Sequence, residues 1–239
     1  AAGQWMMWNC VETDPFKKGK AYFVGTKYKS DDFAPYLFKT EDYGKTWTKI
    51  TNGINAIHFT RALRADKRRS GLLYCGTEYG MYISYDDGAN WKPFQLNLPM
   101  VPITDLTIKE NDLIVATQGR AFWVLDDLTP VQQKDISILD KKLFAFSVND
   151  VYRYDGFQIS NPKNAGMNPP NGSVINYYVK NVSDSAKVSI DILDKNKKLI
   201  KTFSNKAKQK DDKIDVNAGM NQFVWNMLYP PAEKVDGQI

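Results

Sequence analysis

Carboxylates are the side chains of this sequence whose type could support hydrolysis. Asp31, Asp32 and Glu78 lie in polar segments between apolar runs. Hydrolysis of a glycosidic bond normally needs two carboxylic acids about 5–10 Å apart. Because no motif pairs any two of these three residues, they are candidate catalytic acids without an assigned partner.

Other aspartates belong to a repeated turn pattern, Ser/Thr-x-Asp-x-Gly-x-x-Trp, known as the Asp-box. Its two copies are Thr40, Asp42, Gly44 and Trp47, and Ser84, Asp86, Gly88 and Trp91. The aspartate can accept hydrogen bonds from backbone N–H groups of its own turn, and the glycine supplies a φ angle that other residues resist. An aspartate used in this way is poorly placed to transfer protons, so these residues are predicted to be structural.

The elements that carry these turns form a repeat over 21–47, 72–91 and 113–127. Each copy has an apolar strand ending in Gly-Thr or Ala-Thr, a loop, and an aromatic-rich strand that ends at an acidic turn. Asp42 and Asp86 are 44 residues apart, a spacing typical of four-stranded propeller blades. The third copy keeps only the acidic end. The pattern predicts the last three or so blades of a β-propeller over 1–130, with the outer strand of a preceding blade around 5–11.

Three blades cannot close a ring, because propellers typically have 4–8 blades that each pack on their neighbours. We therefore expect the remaining propeller blades to be partners of this segment, supplied by the same precursor or by another chain. A longer precursor is the favoured interpretation.

One face of the predicted blades gathers residues that could bind a ligand. The loops between the second and third strands share this face with the loops that lead from one blade to the next. The candidates are Glu78, Tyr79, Gln118, Arg120 and His58. Their groups could bind a sugar or a carboxylate-bearing ligand. Equally, Glu78 and Arg120 could pair with neighbouring backbone or with each other to hold the loops.

The rest of the chain predicts a second β domain. Residues 131–165 are interpreted as a connector, and 166–239 as an immunoglobulin-like β-sandwich that ends before its last strands. Short alternating segments at 174–179, 186–193, 199–203 and 219–226 support this prediction.

Composition excludes several function classes. The net charge of +5 arises from 32 basic and 27 acidic residues spread along the chain, so no nucleic-acid partner is expected. No apolar run approaches the ~20 residues of a membrane span. With one histidine and two cysteines, neither a metal site nor a cofactor is expected. Cys75 lies in an apolar run, which favours a buried free thiol. A disulfide between Cys75 and Cys10 is the alternative.

Four segments, 32–36, 39–47, 73–78 and 119–127, resemble the end of large bacterial sortilin-like BNR-repeat proteins, often labelled glycosyl hydrolases. The C-terminal region is similar to the FlgD-type immunoglobulin-like domain that follows such propellers. The sequence departs from the family at Gln118, where a histidine is usual. The resemblance implies a protein that is secreted, periplasmic or on the cell surface.

Two functions follow from these patterns. The first is recognition or scaffolding of glycans or peptides by the propeller. The alternative is a glycoside hydrolase whose catalytic acids lie partly or wholly in the remaining blades. Sialidase activity is disfavoured, because only Arg120 is placed to bind a ligand carboxylate.

Overall fold

The chain is described by a computed structural model over residues 5–134, 136–153, 170–183 and 185–230. The predicted all-β class is confirmed, since 43% of the residues are in strands and 7% in helices. The chain divides into two compact units, Ala1–Leu128 and Thr129–Ile239. Within the described ranges, no helix has the length and apolar character needed to cross a membrane.

The first unit contains three antiparallel sheets, each a meander of strands in chain order. The first sheet comprises β1 (Met7–Thr13), β2 (Ala21–Lys27), β3 (Asp32–Thr40) and β4 (Thr48–Lys49). The second comprises β5 (Thr60–Ala65), β6 (Leu73–Thr77), β7 (Gly80–Ser84) and β8 (Lys92–Pro93). The third comprises β9 (Ile103–Lys109), β10 (Asp112–Thr117) and β11 (Phe122–Leu125).

The expectation that residues 5–11 form the outer strand of a preceding blade is wrong. Strand β1 is the first strand of the first sheet and pairs antiparallel with β2, with Cys10 opposite Val24 and Glu12 opposite Tyr22. The chain reverses at Asp14, whose carboxylate accepts hydrogen bonds from the backbone N–H groups of Phe16 and Lys17, both at 2.8 Å. This turn holds β1 against β2.

One part of the core of the first unit lies between the first two sheets. Strands β6 and β7 are buried along their whole length, as expected for strands covered on both faces. One cluster of buried side chains comes from both sheets: Tyr22, Val24, Leu37, Ile50, Ile54, Leu63, Ala65, Leu73, Cys75, Tyr82 and Trp91. Each large apolar side chain in it contributes about 1.5–3 kcal/mol through burial.

Equivalent positions on the first strands differ sharply in exposure. Val11 faces Phe23, Leu63 faces Cys75, and Leu106 faces Val115 in the three sheets. Leu63 is 0% exposed and Leu106 1%, whereas Val11 is 69% exposed. We call the side of the first sheet around Val11 the leading face.

The third strands show the converse pattern. Leu37, Met81 and Phe122 each lie three residues before the end of β3, β7 and β11. Leu37 is 0% exposed and Met81 3%, whereas Phe122 is 76% exposed. We call the side of the third sheet around Phe122 the trailing face. Each inner position is thus covered by a neighbouring sheet, and only the two outer faces are open.

The second unit holds two small antiparallel sheets. It contains α1 (Thr129–Gln133), β12 (Leu143–Ala145), β13 (Ser173–Val179), β14 (Ser189–Leu193), β15 (Leu199–Ser204) and β16 (Gly219–Trp225). Short 3-10 turns cover Ile136–Asp140 and Lys210–Asp212. The sheet orders are β12-β13-β16 and β14-β15, so a strand inside the expected connector pairs with β13. Residues 154–165 of that connector lie outside the described residues, as do 166–169 and 231–239.

Side chains from both sheets of the second unit meet in one cluster. Ile192, Phe203 and Ile214 are buried, and Phe223 and Trp225 pack against them. The Phe203 and Phe223 ring centroids are 4.6 Å apart. This cluster joins β14 and β15 to β16.

Candidate functional site

The two Ser/Thr-x-Asp-x-Gly-x-x-Trp turns lie between β3 and β4 and between β7 and β8. Asp42 Oδ1 accepts the Thr46 backbone N–H at 2.9 Å, and its Oδ2 accepts the Thr46 hydroxyl at 2.6 Å. In the second turn, Asp86 accepts the Asn90 backbone N–H at 2.8 Å and the Asn90 side-chain amide at 2.7 Å. These carboxylates are therefore committed to their own turns.

The pKa of both turn aspartates is lowered. Hydrogen bonds from the Thr46 side chain and backbone lower the pKa of Asp42 to about 2. Burial opposes ionisation of Asp86, but the hydrogen bonds from Asn90 and Ser84 outweigh it and the pKa falls. Carboxylates ionised in this way are unsuited to donating a proton at neutral pH.

The two tryptophans have different tasks. Trp91 is buried and donates its indole N–H to the Ile50 carbonyl at 2.7 Å, which links the second sheet to the segment after β4. Trp47 is half-buried and donates to Gly44 within its own turn at 3.1 Å. Its ring packs edge-on against Phe23 at 4.5 Å.

A second repeated turn was missed in the sequence. Asp14 and Asp66 each accept two backbone N–H groups two and three residues ahead. Each also accepts the hydroxyl of a tyrosine eight residues later, Tyr22 at 3.0 Å and Tyr74 at 3.2 Å. The signal is present as Asp-x₄-Gly-x₂-Tyr in both copies, with the glycine at positive φ.

At the ends of the strands opposite these turns, three segments lie close together. They are the segment before β5, the loop between β2 and β3, and the loop between β6 and β7. Tyr28 stacks on Phe59 with 5.1 Å between ring centroids, and Phe33 lies 6.1 Å from Phe59. The Arg61 guanidinium lies over the Phe59 ring at 5.1 Å and the Tyr28 ring at 6.0 Å. Of these rings, Phe59 is buried and Phe33 is exposed.

Glu78 holds this arginine in place. Its Oε2 accepts Arg61 Nε at 2.6 Å and lies 2.5 Å from Nη2. The Glu78 backbone N–H donates to the Phe59 carbonyl at 3.1 Å. The sequence left neighbouring backbone or Arg120 open as the partner of Glu78. The carboxylate pairs with neither of them and instead binds the Arg61 side chain.

His58 and Tyr79 meet beside this ion pair. Their ring centroids are 4.8 Å apart, and His58 Nδ1 lies 2.9 Å from the Tyr82 hydroxyl. Burial lowers the pKa of His58, so the imidazole is neutral at pH 7. The Tyr79 ring remains exposed to solvent. We call Tyr28, Phe33, His58, Phe59, Arg61, Glu78 and Tyr79 the aromatic–arginine cluster.

The remaining candidate residues make other contacts. Asp31 caps the 3-10 turn Tyr28–Ser30 with φ 60°. Asp32 accepts the Tyr36 hydroxyl at 2.6 Å, which lowers the pKa of Asp32 and raises the pKa of Tyr36 to about 12. Among the described residues, no hydrogen bond or ion pair joins either aspartate to Glu78.

Gln118 and Arg120 lie in the turn between β10 and β11. The Gln118 backbone N–H donates to the Pro102 carbonyl at 2.9 Å, and Arg120 Nη1 donates to the Gly119 carbonyl at 2.9 Å. Both side chains are exposed. The structure therefore brings together His58, Glu78 and Tyr79. Arg120 instead binds neighbouring backbone, which is one of the two alternatives that the sequence left open for it.

Arg61 was not among the sequence candidates. It lies inside β5, between the buried Thr60 and Ala62, and its guanidinium lies over the Tyr28 ring from the loop between β2 and β3 of the first sheet. The signal available in the sequence was an arginine two positions after an aromatic residue, Phe59. Over the described residues, no group of three or more His, Cys, Asp or Glu side chains could hold a metal ion.

No protein-family model and no curated protein matches the sequence. Among solved structures, the chain is similar to YCF48 bound to a D1 peptide, at 19% identity and TM-score 0.37 over 51% of this chain and 37% of that one. It is similar to the GH74 enzyme of Niastella koreensis at 15% identity and TM-score 0.41, over 72% and 28% of the two chains. It is also similar to the GH74 xyloglucanase of Xanthomonas campestris at 16% identity and TM-score 0.38, over 59% and 25%. The chain thus spans well under half the length of each of these proteins.

Proposed function

We propose that this chain belongs to a secreted Asp-box β-propeller of the sortilin-like BNR type, followed by an immunoglobulin-like domain, and that the propeller recognises a glycan. The aromatic–arginine cluster is the proposed site. The observation that carries the proposal is the pair of exposed rings, Phe33 and Tyr79, beside the Arg61–Glu78 ion pair.

The cluster has the composition of a small-ligand site. Such sites combine apolar rings, which cover the flat face of a ligand, with a few fixed polar groups that orient it. Phe33 and Tyr79 supply the rings. Phe33 packs against Phe59, and Tyr79 packs against His58. A sugar ring has an apolar face and a polar rim, so it suits this combination better than an extended peptide does.

Binding fits Glu78 better than catalysis does. One of its oxygens already faces two guanidinium nitrogens of Arg61, which suits an anchor for the arginine better than a proton donor. No second carboxylate contacts Glu78 among the described residues. The glycoside hydrolase alternative therefore depends on acids outside this segment.

The leading and trailing faces support the proposed partners. Positions that neighbouring sheets bury, at Leu63 and Met81, are open at Val11 and Phe122. Faces of this kind are covered by the next blade in a propeller. We assign that role to the remaining blades of the same precursor.

The test is binding of the chain to a panel of soluble polysaccharides by isothermal titration calorimetry. Phe33→Ala and Tyr79→Ala are each expected to weaken binding about tenfold, or about 1.4 kcal/mol. Tyr43→Ala is the matched control, because Tyr43 is exposed at the opposite ends of the strands. Absence of binding, or equal loss in all three variants, would contradict the proposal. Release of reducing sugar that Glu78→Gln abolishes would establish the hydrolase alternative.

A further inference from the structure

The third sheet lacks the fourth strand that completes the other two. In the first and second sheets, a two-residue strand after the Asp-box turn pairs with the third strand, β4 with β3 and β8 with β7. The chain after β11 has no Gly-x-x-Trp segment and does not turn back in this way. Instead, the Leu128 N–H donates to the Asn111 carbonyl at 2.7 Å. Within the described ranges, β11 is therefore an edge strand that no further strand covers.

The free edge of β11 presents a backbone acceptor that the second sheet uses. There, the Phe94 N–H donates to the Met81 carbonyl at 2.9 Å. Phe122 has the same position on β11 as Met81 has on β7. The preceding carbonyl, that of Ala121, points inward and accepts the Thr117 N–H at 3.2 Å. Because alternate residues of a strand direct their backbone groups to opposite neighbours, the Phe122 carbonyl points outward, and no described residue donates a hydrogen bond to it.

An apolar groove lies beside this edge, between the segment after β8 and strands β10 and β11. Six residues that line it have the same positions in their sheets as six residues of the buried cluster that contains Trp91. The lining residues are Met81, Phe94, Leu98, Leu113, Val115 and Trp123, which correspond in this order to Leu37, Ile50, Ile54, Leu73, Cys75 and Tyr82. The groove is thus the place that a tryptophan equivalent to Trp91 would take.

Two carbonyl groups of the groove match the partners of Trp91. Trp91 donates its indole N–H to the Ile50 carbonyl at 2.7 Å and its backbone N–H to the Asn52 carbonyl at 2.8 Å. Phe94 and Leu96 follow these two residues at the spacing of the two Asp-box turns, 44 positions. No described residue donates a hydrogen bond to either carbonyl, and the Leu96 side chain is 67% exposed. A tryptophan in the groove would supply both donors.

We propose that an extended segment with the pattern Trp-x-x-apolar completes the third sheet. Its tryptophan fills the groove, and the N–H of its apolar residue donates to the Phe122 carbonyl. Residues 47–50 and 91–94 have this pattern, and they form the corresponding edge of the first and second sheets.

The segment is assigned to the remaining blades of the precursor, and in this respect the inference rests on the proposed function. One side chain and a few backbone hydrogen bonds form a contact far smaller than a stable interface between separate proteins. A segment of the same precursor meets the edge at a high effective concentration, so a small contact is sufficient.

The test uses the full chain and a synthetic peptide with the sequence of residues 84–95. Amide NMR spectra of the isotope-labelled chain should show saturable binding, with the largest shifts at Phe122 and Val124. Alanine in place of the peptide's tryptophan should weaken binding at least about tenfold. N-methylation of the peptide's phenylalanine removes the donor to Phe122 and should weaken binding about threefold. A peptide with the same composition in scrambled order is the control.

A variant of the chain tests the edge from the other side. Val124 has the same outward orientation as Phe122, so Val124→Pro removes an N–H from the free edge. Proline is tolerated in edge strands, and we expect peptide affinity to fall about threefold while the thermal midpoint stays within a few degrees. If this variant does not fold, the N-methylated peptide tests the same edge with the chain unchanged.

The outcomes separate this inference from glycan recognition. Absence of saturable binding, equal affinity of the peptide without tryptophan, or shifts centred on β7 rather than β11 would overturn it. The complete precursor should not bind the peptide, because its own segment fills the edge, and equally tight binding to precursor and chain would overturn the assignment to the remaining blades. Glycan recognition would stand in each case if Phe33→Ala still weakened polysaccharide binding.

Discussion

Asp87 of the second sheet and Lys20 of the first form an ion pair, with 2.7 Å between Oδ1 and Nζ. Asp87 also binds Lys39 at 2.8 Å and accepts the Tyr22 hydroxyl. Lys20 reaches back to Asp14 at 3.2 Å. One carboxylate within the Ser84–Trp91 turn of the second sheet thus joins three side chains of the first.

Substitution of Asp87 tests this connection. Asp87→Asn leaves the buried Lys20 ammonium with only Asp14, so we expect the free energy of unfolding to fall by about 3 kcal/mol. Urea unfolding followed by tryptophan fluorescence measures the change. The control is Glu110→Gln, because Glu110 is highly exposed, and its effect should stay within about 0.5 kcal/mol. Equal effects of the two variants would contradict a role for Asp87 between the sheets.

Stability is expected to depend on acid pH through the same groups. Burial opposes ionisation of Asp87 and Asp14, but hydrogen bonds from lysine, tyrosine and backbone groups outweigh it and lower the pKa of both. A lowered carboxyl pKa stabilises the fold above the unfolded-state pKa of about 4, and this stability is lost as pH falls through the folded pKa. Glu12 acts in the opposite direction, because burial raises its pKa.

Urea unfolding between pH 7 and pH 2 therefore should show a plateau above about pH 5 and a decline below about pH 4. Asp87→Asn should decline less steeply over that range. If the free energy of unfolding of Asp87→Asn falls with pH as steeply as that of the wild type, other carboxyl groups cause the loss of stability in acid.

The two turn tryptophans should differ in their contribution to stability. Trp91→Phe removes the hydrogen bond to Ile50 and leaves a gap between buried residues, so we expect a loss of about 3 kcal/mol. Trp47→Phe removes a bond inside one turn at a half-buried site, and about 1 kcal/mol is expected. Thermal unfolding of the two variants measures the difference. A larger effect at Trp47 would show that the local turn matters more than the contact between sheets.

The cysteines should react at different rates. Both thiols are free, with Cys10 half-buried and Cys75 buried. Burial raises the pKa of the Cys75 thiol, and nearby Cys10 adds to the rise, which suppresses the reactive thiolate. Ellman's reagent should label at most one thiol in native protein and two in guanidinium chloride. Cys10→Ser should abolish native labelling; labelling that persists would show that Cys75 is reached without unfolding.

Self-association tests the open faces. Because apolar residues are exposed on the leading and trailing faces, we expect the chain to form concentration-dependent oligomers. Val11→Asp and Phe122→Asp should each reduce the mass measured by light scattering, whereas Tyr152→Asp in the second unit should not. A longer chain whose further sheets cover both faces should be monomeric. If the chain is monomeric at all concentrations, these two faces do not drive association.

The sequence predicted the repeat well where the turn chemistry is local. Thr40 to Trp47 and Ser84 to Trp91 can be recognised because the hydrogen bonds that Asp42 and Asp86 accept come from residues within four positions along the chain. The Asp14 and Asp66 turns were missed because the two copies align on the Gly-Thr pairs at Gly25 and Gly76, which are 51 residues apart. Asp14 and Asp66 are 52 residues apart, so they do not coincide in that alignment. A register shift after Gly25 absorbs the difference.

The candidate site was predicted less completely. Loop positions followed from the strand order, so His58, Glu78 and Tyr79 could be grouped. Arg61 could not be found in this way, since its role depends on Tyr28, a residue of another sheet. Asp32 was a candidate acid by type, but Tyr36, four residues later, occupies its carboxylate.

The matched positions Val11, Leu63 and Leu106 have a consequence for how such a protein can change over evolutionary time. One side of each sheet fits the opposite side of the next, so duplication of a single unit creates its own complementary surface. Gain or loss of whole units then requires no newly invented contact. The number of packed sheets can vary in steps, while segments such as those carrying Phe33 and Tyr79 diversify independently of the contacts between sheets.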